Sequence, residues 1–275
     1  MSDIIQTLPS NDGSISFSLW NWMRLARNKL VRLDSNPPTY NNFIGNKTVG
    51  MWEPSSAVGE SFGMGGTATT TKASSALVAS TTTNVFTQQR RVTFTSTAAI
   101  NTGCGIIHPN APVYRGDAQS KGGFLIWGWM GFTALNSDSR WGFGLHNAAT
   151  VPTGNTDPST LTNVLFIGQD AADTNIKVIS ANGSTSTKQD LGTGLTRPTV
   201  SQSMYLLGLY AAPYSNFVEY YIYNRYTSAS AQGKISLTLP VNTAQMYFTQ
   251  FVNTGPTTAT ASTIACGKSY LETPY

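Results

Sequence analysis

Charge is scarce in this chain. Asp, Glu, Lys and Arg make up 11% of its 275 residues, against roughly a quarter in ordinary soluble domains. Thr, Ser, Asn and Gly fill the polar positions instead, a composition that suits β-rich proteins on extracellular or particle surfaces. Low charge does not mean disorder here, because a hydrophobic share of 40% and an aromatic share of 11% suffice for a core. With 13 acids in all, paired-carboxylate chemistry across a sugar cleft has little to draw on. Most of them read as turn residues: Asp138 in NSDS, Asp157 before Pro158, Asp170 and Asp173 in QDAADTN. No catalytic residue is assigned, and no enzyme is expected.

Histidine and cysteine are rarer still, two of each. His108 and His146 are expected to end strands, His108 as a loop residue ahead of Pro109. Cys104 and Cys266 either form a disulfide or stay as two buried thiols, the second being favoured in a reducing cytoplasm. Without HExxH or CxxC no transition-metal site is expected. Asp170-Ala171-Ala172-Asp173-Thr174-Asn175 offers oxygen ligands of the kind calcium takes, but reads first as a turn with local side-chain bonds. Gly63, Gly65 and Gly66 lead into Thr-rich coil rather than a helix, so no phosphate loop and no cofactor are expected. The net charge of +4 comes without a basic run interleaved with aromatics, which argues against nucleic acid. No apolar run approaches the eighteen or so residues that span a membrane. The N-terminal MSDIIQTLPSNDGS has no signal-peptide pattern. A protein made in the cytoplasm is expected, one that leaves a cell inside a particle released by lysis.

What is present is strand pattern, densest from Phe124 to Asp170. FLIWGWM (124–130) is an aromatic run that helical periodicity does not explain. In RWGFGLH (140–146), Trp141, Phe143 and Leu145 alternate with Arg140, Gly142 and Gly144, as in a strand with one buried face. The glycines leave the other face bare, so that a backbone or a ring can lie flat on it. The two runs are expected to form the central hairpin.

Before this region lie an arm (1–13) and the single good helix candidate, Ser14 to Asp34, stopped by Asn36-Pro37-Pro38. Leu19, Met23, Ala26, Leu30 and Leu33 form a two-heptad seam, with Arg24, Arg27, Lys29 and Arg32 off it. The seam either lies on the chain's own domain or serves self-association and docking into an assembly. Trp20 and Trp22 fall outside the seam and favour contact on more than one side. Pro37 to Thr83, rich in Gly, Ser, Thr and Ala, reads as a strap or linker.

From Asn84 onward short strands follow one another. They include 85–96, 103–107, 163–169, a hairpin of 174–181 and 184–191 turning on Asn182-Gly183, 204–212, 217–226, 236–240, 246–252 and 262–271. In 217–226, Phe217, Tyr221 and Tyr223 fall on the opposite face from Val218, Tyr220 and Ile222. The whole predicts an all-β fold, an antiparallel β-sandwich of jelly-roll kind behind one short N-terminal helix and an extended strap. Trp127, Trp129, Tyr205, Tyr214, Tyr220, Tyr221 and Tyr223 have faces that suit sugar rings. Tyr214, in the turn Pro213-Tyr214-Ser215-Asn216, is the candidate glycan contact.

The order of several motifs resembles the C-terminal domain of tailed-bacteriophage virion structural proteins, fibre-like or decoration proteins. These are Gly122-Gly123-Phe124, Arg140 with Gly144-Leu145, Asp157-Pro158-Ser159-Thr160, Thr185 to Gly192, the strand YLLGLYAAP and the terminal Tyr270 to Tyr275. The sequence departs from that pattern at Gln169 and at Pro274, where an acidic residue is usual. The resemblance runs from about Asn84 to the end and leaves the first 80 or so residues uncovered. It implies a concanavalin A-like or jelly-roll sandwich on a phage particle, a homotrimer, and does not imply catalysis. On this reading residues 1–83 attach the protein to other virion proteins of capsid or tail and to its copies. Residues 84–275 form the outward sandwich, a decoration or, alternatively, a receptor-binding module for a host-surface glycan. The expected location is the virion.

Overall fold

The computed structural model describes residues 48–273 apart from 58, 63–66, 69–71, 82, 85, 117–121, 199–202 and 213–214. The expected helix, with Leu19, Trp20, Trp22, Met23, Ala26, Leu30 and Leu33, and Tyr214 lie outside the described residues. The strands in chain order are β1 (Thr48–Glu53), β2 (Glu60–Phe62), β3 (Thr67–Ala68), β4 (Lys72–Val78), β5 (Arg91–Ser96), β6 (Gly103–Val113), β7 (Phe124–Ala134) and β8 (Arg140–His146). They continue as β9 (Val164–Gln169), β10 (Lys177–Ala181), β11 (Ser186–Asp190), β12 (Met204–Ala211), β13 (Val218–Asn224), β14 (Ser230–Ile235), β15 (Met246–Asn253) and β16 (Thr263–Thr273). One sheet, A, runs β14-β13-β12-β7-β16-β1-β2, with β4 and β5 joined to it through β16; the other, B, runs β11-β10-β9-β8-β15-β6-β3. Neighbours pair antiparallel throughout, as in β7 with β12 and β16 and in β8 with β9 and β15. This is the all-β antiparallel sandwich of jelly-roll kind that the strand pattern predicts.

The core lies between the sheets and follows from the period-2 pattern. Phe124, Ile126, Met130 and Phe132 of β7 face Trp141, Phe143 and Leu145 of β8 across it, with Leu207, Leu209, Val218, Tyr220 and Ile222 from the neighbouring strands. The alternation in β8 thus sets the inner face as expected. Its bare outer face is used too: a Cβ on Gly142 would come within 2.6 Å of the Phe251 ring and 3.2 Å of Phe166. These two rings anchor a second apolar cluster with Ile107, Val151, Val164 and Ile179.

Several expectations change, besides the strand expected at 236–240, whose place β14 (Ser230–Ile235) takes. The runs in β7 and β8 are not a hairpin, because they belong to different sheets and residues 135–139 carry the chain across the sandwich. His108 does not end a strand in a loop. β6 continues to Val113, and His108 is buried and stacks on Phe248 with centroids 5.3 Å apart. The pairing with β15 instead slips beyond His108, where Pro109 and Pro112 have no N–H to give. Third, residues 48–78, placed in the strap, contribute β1 to β4, and β1 pairs with β16 over Thr48 to Trp52, so the sheets reach N-terminal of Asn84. Fourth, the β10–β11 turn centres one residue later than Asn182-Gly183. Asn182 N donates to Thr185 O, and Gly183, at φ +96°, takes the first central position, the place for glycine in a type II′ turn. Asn182 Oδ1 accepts from the Ser184 and Thr185 amides.

Several stretches that carry the virion-protein resemblance meet in one polar knot at the edge of sheet B. Arg140 Nε donates to Asp157 at 2.5 Å and its Nη2 to Asn155. Asp170 accepts from the Ser159 amide and hydroxyl and from Lys188. Asp173 accepts from Lys188 and from the Asp170 amide, while Arg197 donates to the carbonyls of Asp170, Ala171 and Asp173. Burial works against the charge on Lys188, but its bonds to the two aspartates outweigh this and hold its pKa above the ordinary value. The 170–175 stretch is therefore a turn whose carboxylates are bound by the chain's own cations. Among the described residues no group of His, Cys, Asp and Glu is placed to hold a metal ion. Cys104 and Cys266 are buried, unbridged thiols, and burial raises the Cys266 pKa further.

Candidate functional site

The outer face of sheet A carries side chains in rows that the registers align. One row runs Lys234, Glu219, Tyr210, Leu125 and Glu272; the next runs Gln232, Tyr221, Gly208, Trp127 and Tyr270. A third brings together Tyr223, Leu206 and Trp129. At the β16 end of that third row the chain departs from strict alternation. Cys266 and Ser269 both face the core, Cys266 within the main cluster and Ser269 accepting from Gln250 at 2.6 Å. The register between β16 and β7 shifts between them. The extra residue of such a bulge turns two consecutive positions to one side, so Gly267 and Lys268 both face outward.

That bulge builds a cleft of about 320 Å³ lined by Glu53, Pro54, Ser55, Gln89, Arg90, Trp129 and Lys268. The volume is at the low end of the ~300–1,000 Å³ typical of small-ligand sites. Gly267 is required beneath Trp129, since a Cβ there would lie 2.8 Å from the Trp129 Cβ and 3.2 Å from Gln89 Oε1. Lys268 Nζ reaches Glu53 Oε1 at 2.5 Å, and Arg90 Nη2 donates to the Ser55 carbonyl at 3.3 Å. The Arg225 guanidinium lies 5.9 Å from the Trp129 ring centre, within cation–π reach. Phe86, Met204 and Ala265 support the indole from behind. The site therefore offers one half-buried aromatic plane rimmed by a carboxylate, an amide and cations. Such a set stacks on a planar or C–H-rich ligand face and hydrogen-bonds its hydroxyls.

Of the aromatics singled out in the sequence, Tyr205 and Tyr220 are core residues. Trp127 and Tyr221 lie on the outer face but are buried, and Trp129 and Tyr223 are half-buried there. Burial, with Glu219 and Glu272 nearby, pushes the Tyr210 hydroxyl up to about 12, and burial with Tyr223 nearby does the same for Tyr221. The face thus presents neutral phenols. Glu53, Gln89, Arg90 and Lys268 were not anticipated as site residues. The signal for Lys268 was present: in Ile264-Ala265-Cys266-Gly267-Lys268-Ser269-Tyr270 the alternation breaks at Gly-Lys, as a bulge requires.

No protein-family model and no curated protein sequence matches this chain. Among solved structures, it is similar to peanut lectin (8% identity, TM-score 0.47, covering 66% of this chain and 85% of that one). Arcelin-5, a lectin-like defence protein of Phaseolus vulgaris, matches with 10% identity and TM-score 0.47 over 76% and 99% of the two chains. A carbohydrate esterase from the Shiga toxin-encoding bacteriophage phi24B matches with 14% identity and TM-score 0.47 over 82% and 97%. At these values the assignment of a jelly-roll sandwich rests on the two sheets themselves.

Proposed function

We propose that the chain is a non-enzymatic surface component of a phage virion whose sandwich holds a host-surface glycan in the Trp129 cleft. The cleft carries this reading. An indole plane beside Glu53, Gln89, Arg90 and Lys268 supplies the stacking surface and the hydrogen-bonding rim that a sugar ring needs. The single carboxylate lining it among the described residues is engaged by Lys268, whereas glycoside hydrolysis calls for two carboxylates flanking the bond. The particle-surface part is supported by the order of the virion-protein motifs and by the low charge. Other copies and other virion proteins are the partners on this view.

The test is a glycan array and host polysaccharide binding with the full chain. Trp129→Ala is expected to weaken binding by about tenfold or more, the loss of one aromatic stacking partner, with the fold retained and the unfolding temperature lowered by the packing lost on Phe86 and Met204. Absence of any glycan binding, or binding indifferent to Trp129, sinks the glycan reading. Release of reducing ends from the polysaccharide sinks the non-enzymatic one. Sedimentation of the protein apart from purified particles sinks the virion one.

A further inference from the structure

The surroundings of the Trp129 cleft are more positive than its lining alone. Arg90 lines it, and Arg225 lies within cation–π reach of the indole. Arg91 stacks on Phe86, the ring behind the indole, with its guanidinium carbon 4.5 Å from the ring centre. With Lys268, four cations surround one carboxylate, Glu53, whereas the whole chain carries 17 cations to 13 acids. Glu53 is already neutralised, since Lys268 Nζ sits 2.5 Å from its Oε1. Among the described residues no carboxylate lies within ion-pair distance of Arg90, Arg91 or Arg225, although Arg140, Lys177, Lys188 and Lys234 each meet an acid. Arg115 and Arg197, which do not, spend their donors on several carbonyls. Arg90 gives one N–H to the Ser55 carbonyl, which leaves the rest of its fork for a ligand.

We propose, resting on the glycan reading of the cleft, that the sugar held there is acidic: its carboxylate or phosphate sits on the Arg90 fork while its ring stacks on Trp129. A guanidinium fork matches either anion in shape and charge. Beside a half-buried indole part of the screening water is displaced, so the attraction is stronger than on an open surface. Arg225 and Arg91 add fixed positive charge beside and behind the ring. Lys268 keeps Glu53 from repelling the ligand, and Gln89 is left for its hydroxyl groups. A neutral sugar stacks as well on Trp129 but leaves the Arg90 fork to water. The discrimination therefore comes from charge, and the affinity common to both kinds of sugar from the indole.

Titration calorimetry of the full chain with matched ligands tests this. Oligogalacturonate is set against the neutral oligogalactoside of equal length, and a phosphorylated mannan oligosaccharide against its dephosphorylated form. At least one acidic member is expected to bind about tenfold or more tighter than its neutral counterpart, and the pair that responds tells carboxylate from phosphate. Arg90 is exposed, so Arg90→Gln leaves the packing intact. It should remove most of that difference and leave the neutral affinity within about twofold. Raising salt from about 0.05 to 0.5 M should weaken the acidic member alone. Lys234→Gln, which removes the same charge from the edge strand β14, should change neither. Equal affinity within both pairs, with Trp129→Ala weakening every ligand, overturns the acidic preference and leaves the glycan reading standing. Failure of both acidic members to bind also overturns it, and no binding by any of the four or on the glycan array takes the glycan reading with it. An equal loss with Lys234→Gln, or an oligothymidylate binding as tightly as the acidic sugar, means attraction to charge alone and overturns the proposal.

Discussion

Phe132, near the end of β7, and Trp141, in β8, meet edge to face with ring centroids 5.0 Å apart although they belong to opposite sheets. The short connection between them is a strut across the sandwich, and the Trp141 indole N–H donates to Gln169 Oε1 at 2.8 Å inside it. Trp141→Phe keeps the ring contact but strands the Gln169 oxygen. An unsatisfied buried acceptor costs ~1–3 kcal/mol, and the vacated volume adds to that. Urea unfolding should show a loss of ~2–4 kcal/mol, and an unchanged midpoint would contradict the role given to Gln169.

Asp170 is the hub of the polar knot, taking bonds from Ser159 and Lys188 with 5% of its side chain exposed. Asp170→Ala leaves the Lys188 charge with Asp173 alone. A destabilisation of ~1–3 kcal/mol is expected, from the stranded Ser159 donors and a weakened, partly exposed ion pair. The 157–160 loop should become the first site of limited proteolysis.

Gly267→Val closes the floor of the cleft. The added carbons enter the space of Trp129 and Gln89; the nearest atom, the Trp129 Cβ at 2.8 Å, is held by the β7 backbone and gives way only if the strand shifts. Glycan binding should drop about tenfold, and stability should fall by ~1–3 kcal/mol or more. Loss of stability without loss of binding would move the site elsewhere.

His146 lies under the loop that follows β8, with its ring 6.0 Å from that of Phe166. Burial lowers its pKa from 6.5 to about 4, against a smaller raising effect from a backbone bond with Thr150. The folded state therefore prefers the neutral ring. Its contribution is complete above the unfolded value near 6.5 and is lost as pH falls toward 4, amounting to ~3 kcal/mol. Denaturation of the wild-type chain should steepen in that window relative to His146→Gln. Parallel pH profiles for the two would refute the assignment.

Face assignment was legible in the sequence and partner assignment was not. Trp141, Phe143 and Leu145 announce an inner face through their alternation, and Tyr221 and Tyr223 fall opposite Val218, Tyr220 and Ile222 as read. Alternation is local, however, and says nothing about which strand lies alongside. The 135–139 connection is as short as a hairpin loop, yet the rings of Phe132 and Trp141 pull its ends to opposite sheets. His108 reads as a loop residue because prolines follow it, and only the Phe248 ring across the pair keeps it in a strand. The strap's strands were hidden by a Gly- and Thr-rich composition whose sheet bonds come from β16, β6 and β5, farther along the sequence. The cleft shared this difficulty, since Glu53 and Lys268 meet only once β1 is laid on β16.

That pairing has a consequence for how the chain comes to its native state. β16 sits between β7 and β1 and also holds β5, so three strands wait for one that is translated after all of them. Until it emerges from the ribosome, sheet A is three fragments with open hydrogen-bonding edges and uncovered aromatic rings. The sandwich cannot mature strand by strand during synthesis. A chain stopped before Thr263 is a sticky intermediate rather than a smaller version of the protein, and slow translation of the last stretch should raise its demand for chaperones.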